Sequence, residues 1–349
     1  MIADTLARLL DGRHLSQADA RQAMDEVMRG EATQAQVAGF LVALRMKGET
    51  VDEITGFAEA MQAHVLPVRP RRTDLVDTVG TGGDGARTFN ISTAAALVAA
   101  SAGAAVAKHG NRAASSPTGS ADVLEALGFR IEQPPDRIAR SIDELGFGFM
   151  FAQAHHPAMR HAAPVRRELG ARTVFNILGP LTNPAGARSG LFGVYSAELA
   201  RTYAEVLARL GARRAFVVHG ALGLDELSPA GQNLVFDVRD GDVRMLTVDP
   251  RDLGIEPGDP SELAGGGAAE SAAAIRSVLA GRPGTRRDAV VLNAGATIVA
   301  AGLARDLGEG IGLACEAIDS GAAAERLEQL RAFSEAAGAA TPAVEAASS

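Results

Sequence analysis

The chain has 349 residues, with 34 basic against 42 acidic side chains (net charge −8), 47% hydrophobic residues and 22% charged ones. This is enough for one large domain and a smaller one around substantial cores, and the acidic balance argues against a nucleic-acid binder, whose footprint is usually basic. A single cysteine, Cys315, excludes an internal disulfide and a metal–thiolate framework.

The opening stretch, MIADTLARLLDGRHL, mixes acids and arginines into its apolar positions and lacks the layout of a signal peptide. No run approaches the ~18 apolar residues of a membrane span. A cytoplasmic chain that touches neither membrane nor nucleic acid is expected. LSQADARQAMDEVMRG has apolar positions at helical spacing and ends at Gly30, and ATQAQVAGFLVALRMKG is a second such segment, ending at Gly48. In TVDEITGFAEAMQAHV, Thr50 with Glu53 three residues on reads as a capping box. Residues 1–70 are therefore expected to form a small all-helical domain closed by the Pro- and Arg-rich linker LPVRPRR.

From Asp74 the pattern changes. The strand-like segments DLVDTVG, AAVAKHG, FGFMFA, GLFGVYS and RRAFVVHG alternate with helical ones such as STAAALVAASAG and SADVLEALG. Such alternation predicts an α/β domain over 71–335, a mostly parallel sheet flanked by helices. LVFDVRDGDVRMLTV reads as an edge hairpin around Asp240-Gly241. The stretch from about 156 to 187 is helical between strands and is expected to join the small domain. The tail, 336–349, lacks periodicity and is expected to be disordered.

Four constellations carry chemistry. Gly80-Thr81-Gly82-Gly83-Asp84-Gly85 follows a strand and precedes a helix, with Asn90, Ser92 and Thr93 at the helix start. Glycines let backbone N–H groups approach a ligand, and the helix end offers unpaired N–H groups to an anion. The letters match G-x-G-x-x-G, but the acidic residue that a dinucleotide site wants about twenty positions on is absent; the region reads AAVAKHGNR. No Gly-Lys-Ser/Thr follows either, so a P-loop is excluded. Taken alone, the loop is read almost as well as a ligand-free tight turn. Lys108-His109-Gly110-Asn111-Arg112-Ala113-Ala114-Ser115-Ser116, with Ser120 at the next helix start, adds a second anion-binding loop at a strand end.

Asp225-Glu226, just past the strand RRAFVVHG, suits Mg²⁺, which takes oxygen ligands and bridges to substrate phosphates; Asp84 and Ser92 could complete its shell. Alone, such a pair is more often an exposed acidic loop. In HHPAMRHAAPVRRELGARTVFNILGPLTNPA, Arg160, Arg166, Arg167 and Arg172 lie in or beside an amphipathic helix, and a guanidinium can hold a carboxylate bidentately. His155, His156 and His161 lack the spacing of a helical zinc site and are read as capping or packing residues.

The stretches DTVGTGGDGARTFNIST, KHGNRAASSPTGSADVLEALG, HPAMRHAAPVRRELGARTVFNILGPLTNPA and LDELSPAG together resemble the anthranilate phosphoribosyltransferase family, collinearly from the N-terminal helices to about Phe333, and Asn183-Pro184 and VVLNAGATIVAAG fit as well. The resemblance implies a nucleoside phosphorylase/phosphoribosyltransferase-like fold with the active site between two domains, and a homodimer formed through the small helical one. It implies transfer of phosphoribose from phosphoribosyl pyrophosphate (PRPP) to the amine of anthranilate in tryptophan biosynthesis, with Mg²⁺ as cofactor, as a pair of ions per subunit.

By resemblance, PRPP would meet Gly80, Gly82, Gly83, Asp84, Thr88, Asn90, Ile91, Ser92, Thr93 and Lys108, with the loop His109, Gly110, Asn111, Arg112, Ala113, Ala114, Ser115, Ser116, and Ser120, closing over it. Gly80, His109, Asn111 and Arg166 would serve anthranilate, with Arg166 orienting its carboxylate and no general base required. Ser92, Asp225 and Glu226 would carry the metal. Departures are small: Pro117 and Ala113 stand where many relatives have other residues and could alter loop closure, and Gln153 sits where some have Pro. The alternatives are a pyrimidine nucleoside phosphorylase-like enzyme, which needs no acidic metal pair, and a non-catalytic nucleic-acid-binding relative, which should have a basic groove and degraded motifs.

Overall fold

Residues 2–113 and 117–336 are described by the structure, a computed structural model. Ala114, Ser115, Ser116 and residues 337–349, on which the loop-closure and tail expectations fall, lie outside the described residues.

Four helices open the chain: α1 (Ile2–Leu10), α2 (Gln17–Arg29), α3 (Gln34–Lys47) and α4 (Val51–Ala63). The box read at Thr50 forms, the Thr50 side chain accepting from the Glu53 N–H while the Glu53 side chain takes the Thr50 N–H. Glu53 does more than cap. It is fully buried, and its carboxylate also accepts from the Leu15 N–H at 2.9 Å and from Lys47 Nζ at 2.8 Å. One acid thus ties α3, α4 and the turn after α1 together.

The remainder alternates: β1 (Leu75–Gly80), α5 (Ile91–Ser101), β2 (Ala105–Gly110), α6 (Ser120–Ala126), α7 (Pro135–Leu145), β3 (Phe147–Phe151), α8 (Ala152–His155), α9 (Ala163–Leu169), α10 (Phe175–Leu178), β4 (Ser189–Gly193), α11 (Ala197–Arg209), β5 (Arg214–His219), β6 (Asn233–Arg239), β7 (Asp242–Val248), α12 (Ala268–Leu279), α13 (Thr285–Ala300), α14 (Leu307–Asp319) and α15 (Ala322–Glu335). The sheet order is β3-β2-β1-β4-β5-β6-β7. β1 to β5 run parallel, and β6 and β7 are antiparallel additions at one edge. Between the latter two, Asp240 (φ 49°) and Gly241 (φ 94°) make the two-residue turn that the sequence suggested.

Strand residues alternate between two cores, as a period of two requires. Leu191, Phe216 and Val218 join an apolar cluster with α5, α12 and α13 on one face, while Phe192, Ala215 and Val217 join a second cluster on the other. That second cluster contains residues of α1 to α4 together with Ala162, Val165, Val174, Phe175, Ile177 and Leu178. The arginine-rich stretch folds as several short helices, with Arg166 and Arg167 on α9 and Arg160 and Arg172 to either side of it. Pro157, Pro164, Gly170 and the Gly179-Pro180 pair divide it into short α9 and α10 and 3₁₀ turns, because each Pro removes a donor and Gly170 closes α9 in the left-handed conformation.

β1 lies between β2 and β4, so chain connections diverge on either side of it. In such sheets the crevice beyond the carboxyl ends of the strands at that switch point is where ligands bind. The loops after β1, β2 and β5 all open there.

Candidate active site

The chemistry begins at the ends of β1 and β4, over which the Asp225 segment crosses. A Cβ on Gly80 would meet Asp225 Oδ2 at 2.2 Å, and one on Gly193 would meet the Asp225 carbonyl oxygen at 1.5 Å. Only glycine allows this approach. Asp225 Oδ2 then accepts the Gly82 N–H at 2.6 Å, and Glu226 Oε1 accepts the Ser92 N–H at 2.8 Å. The two carboxylates therefore touch the glycine loop and the first turn of α5. Sequence reasoning missed Gly193, and also the buried asparagines that fix this segment. Asn293 of α13 takes the Leu227 N–H at 2.9 Å and donates to the Leu227 carbonyl at 2.7 Å, and Asn233 takes the Ser228 N–H at 2.8 Å. The available signal was a lone Asn within the apolar run VVLNAGATIVAAG.

Lys108 at the end of β2 is almost wholly buried (1% exposed), its Nζ donating to the Thr78 carbonyl at 2.7 Å and lying 3.4 Å from Ser92 Oγ. Burial lowers its pKa, opposed by Asp77 and Glu226. Burial also pushes the Asp225 carboxyl up to about 7, reinforced by the nearby Asp84, and raises Glu226 well above the usual carboxylate range, with Asp225 adding to the effect. Two carboxyls held this way gain from a bound cation.

Several buried polar atoms here have no hydrogen-bond partner: Thr78 Oγ1, Asn90 Oδ1, Thr93 Oγ1 and Glu226 Oε2. Asn90 precedes α5 without capping it. Native proteins rarely leave such atoms unpaired unless a ligand, ion or ordered water meets them, and the N-terminus of the 11-residue α5, to which Asn90 gives no side-chain cap, suits a phosphate. Among the described residues no three His, Cys, Asp or Glu side chains form a ready metal cage. The Asp225-Glu226 pair, with Glu226 Oε2 unpartnered, fits Mg²⁺, which is commonly held by one or two carboxylates with substrate phosphates and water filling the shell. Asp84 Oδ2 stands 3.5 Å from the Asp225 backbone nitrogen, and its Oδ1 accepts the Ala86 N–H. Thr88 pairs with Ala264, so the segment around Leu263 and Gly265 braces the loop before α5.

Arg112, Ala113 and Gly119, between β2 and α6, are held by α6. Asp122 accepts the Ala113 and Gly119 N–H groups at 2.9 Å each, and Arg112 pairs with Asp122 and Glu125. A substrate contact by Arg112 would require exchange of these ion pairs. Ser120 Oγ donates to the Asn111 carbonyl, and Asn111 Oδ1 takes the Arg112 N–H at 2.8 Å, with Gln153 Nε2 at 3.4 Å. His109 is buried, its Nδ1 facing the Gly179 carbonyl and its Nε2 lying 3.2 Å from His156 Nε2. Burial holds both imidazoles below the usual histidine range. His155 Nδ1 meets the Leu66 carbonyl at 2.8 Å, a packing role as read. Arg166 is half-buried, its guanidinium 5.2 Å from the Phe175 ring, and its side chain has no ion pair among the described residues. Burial lowers its pKa, and a carboxylate is the ligand such a group lacks.

A helical bundle beside a mostly parallel sheet, with the first turn of α5 facing a carboxylate pair at the strand ends, is the arrangement of a two-domain glycosyl transferase. The model of the helical bundle domain of the glycosyl transferase family matches residues 3–65, and that of its a/b domain matches residues 72–324. Anthranilate phosphoribosyltransferases from Desulforamulus reducens and Thermomicrobium roseum are 52% and 54% identical to this chain, each over 96% of it and over 97% and 98% of their own lengths. The crystal structure of the anthranilate phosphoribosyltransferase of Thermus thermophilus superposes with a TM-score of 0.90 at 50% identity, covering 95% of this chain and 99% of that one. The Saccharomyces cerevisiae enzyme in complex with PRPP and Mg superposes with a TM-score of 0.88 at 30% identity, covering 96% and 98%. The chain belongs to the anthranilate phosphoribosyltransferase family.

Proposed function

We propose that the crevice transfers the 5-phosphoribosyl group of PRPP to the amine of anthranilate, releasing pyrophosphate, as a step of tryptophan biosynthesis in the cytoplasm. The observation that carries this reading is the Glu226–Ser92 contact, which sets a buried, half-unpaired carboxylate against the first turn of α5, a helix end that Asn90 does not cap. The yeast relative's complexes with PRPP and Mg and with 4-fluoroanthranilate support both substrates and the metal.

PRPP would occupy the loop from Gly80 to Thr93, over Lys108, beneath Asn111 and Ser120. Asp225 and Glu226, with Ser92, would hold Mg²⁺, as a pair of ions, and the metal would supply charge neutralisation to the pyrophosphate. The loop N–H groups and the α5 terminus would stabilise the negative charge that grows on the leaving oxygen as the ribosyl C–O bond breaks. Arg166 would grip the anthranilate carboxylate and aim its amine at the anomeric carbon, a proximity effect, with His109 and Asn111 lining the approach. An aromatic amine is neutral at pH 7, so attack needs no strong base.

Two further readings complete the proposal. The short helices between 156 and 187 complete the N-terminal domain, because α9 packs on α3, α10 on α4 and the 3₁₀ turn at Pro157–His161 on α2. Val42 and Met46, exposed and four residues apart on one side of α3, are the apolar surface of that domain through which a homodimer would form. Among the described residues no helix is long and apolar enough to cross a membrane. Loss of anthranilate fluorescence, followed with enzyme, PRPP and Mg²⁺ and with each omitted, tests the activity. A signal lost only with all three present supports it, and a flat trace from folded protein overturns it. The chain has no Trp to obscure the signal.

A further inference from the structure

Arg172 has no part in the proposal so far. It follows Gly170, which ends α9, and its guanidinium spans two other elements. Nη2 donates to the carbonyl oxygen of Gly83 in the loop after β1, and the guanidinium carbon stands 4.5 Å from the centre of the Tyr195 ring, just past β4. A planar guanidinium can stack on a ring and donate from its edge at once, which an ammonium cannot. The seat is close-fitting: a Cβ on Gly83, where φ is +81°, would lie 2.7 Å from Nη2. Among the described residues no carboxylate pairs with Arg172.

The adjacent residue of the same loop is held by another segment, the Gly82 N–H donating to Asp225 Oδ2. The loop is thus suspended between the carboxylate that would carry metal and an arginine of the segment that also carries Arg166. We infer that Arg172 is a positioning residue that couples the two substrate half-sites, keeping the Gly80–Gly85 loop in its phosphate-binding conformation and linking that conformation to the placement of Arg166. The inference rests on the function proposed above.

The test uses Arg172→Ala, Arg172→Lys and Tyr195→Ala in the full chain. Arg172→Ala should raise KM for PRPP about tenfold and raise KM for anthranilate when PRPP is limiting, while kcat changes less than about threefold. Lysine should restore only part of this, since it keeps the charge without the plane, and Tyr195→Ala should show a weaker form of the alanine phenotype. Because Arg172 is exposed, Tm should stay near that of the parent protein. Hydrogen exchange supplies a readout independent of turnover: in ligand-free Arg172→Ala, amides of residues 80–85 should exchange faster while the rest of the chain is unchanged. Unaltered loop exchange together with unaltered KM values would overturn the inference. So would a general rise in exchange with a fall in Tm, which would make Arg172 merely structural. Local loop loosening in a protein whose parent has no transferase activity would support the Arg172–loop link and count against the proposed reaction instead.

Discussion

Glu226 Oε1 accepts the backbone N–H of Ser92 at 2.8 Å, so the segment after β5 is joined to the first turn of α5 by the carboxylate that would also hold metal. Both roles are compatible, because a carboxylate has lone pairs on two oxygens and Oε2 is unpaired.

The pair Asp225→Asn with Glu226→Gln should therefore abolish Mg²⁺-dependent turnover while leaving the fold intact. Turnover titrated against Mg²⁺ checks this, and full activation of the double variant would remove these residues from the metal site. Ser92→Ala should be milder, a hydroxyl being a weaker ligand than a carboxylate. An equal loss would give Ser92 another role.

Arg166→Ala should act mainly on anthranilate, raising its KM by about tenfold to a hundredfold, the range for one lost charge-assisted contact. Initial rates at varied anthranilate and saturating PRPP measure it. Unchanged anthranilate kinetics would place the carboxylate elsewhere.

The buried His109–His156 pair should make the protein acid-labile. The imidazole of His156 is held down to about 4 and that of His109 is also lowered, both first by burial. An unfolded chain takes up these protons near pH 6.5, but the folded one does not. Their contribution to stability is therefore complete above about pH 6.5 and is lost as pH falls towards 4, with His156 accounting for about 3 kcal/mol. Urea unfolding of the parent and His156→Gln between pH 4 and 7 should show a shallower slope in the variant. Parallel curves would contradict the assignment.

Glu53→Ala should destabilise the protein by about 2–4 kcal/mol, because it removes the only carboxylate on the Lys47 ammonium among the described residues, leaving it His14 and the Gly48 carbonyl, and leaves the Leu15 and Thr50 N–H groups unanswered. Glu53→Gln should cost less, since an amide still accepts one of these bonds. A cost below about 1 kcal/mol in urea melts of Glu53→Ala would show that water replaces the carboxylate.

Much of this was legible in the sequence because it depends on short-range chemistry. The Thr50–Glu53 box, the Asp240-Gly241 turn and the alternation of strands with helices are local, and local patterns survive in one dimension. The glycine loop and the Asp225-Glu226 pair were also visible as motifs. What they touch was not: Asp225 passes over Gly193 and Gly80 only because β4 comes to lie between β1 and β5. Gly193 therefore looked like an ordinary strand glycine. Asn293 was hidden for a similar reason, since its partner Leu227 is brought to it by the packing of α13 on the sheet. The helical character of the arginine stretch was legible too, while the bounds of its short helices follow from Pro157, Pro164, Gly170 and Gly179-Pro180.

The apolar cluster of α1 to α4 has a consequence for the order in which the chain acquires structure. It includes Ala162, Val165 and Phe175, and β1 aligns Val76 with Ser189. A nascent chain leaving the ribosome therefore cannot complete that cluster until more than half of the polypeptide has emerged. Pairings of such long sequence separation pay loop-closure entropy first and form slowly. Synthesis rate and chaperone supply, more than the intrinsic strength of the N-terminal helices, should then govern the yield of active protein.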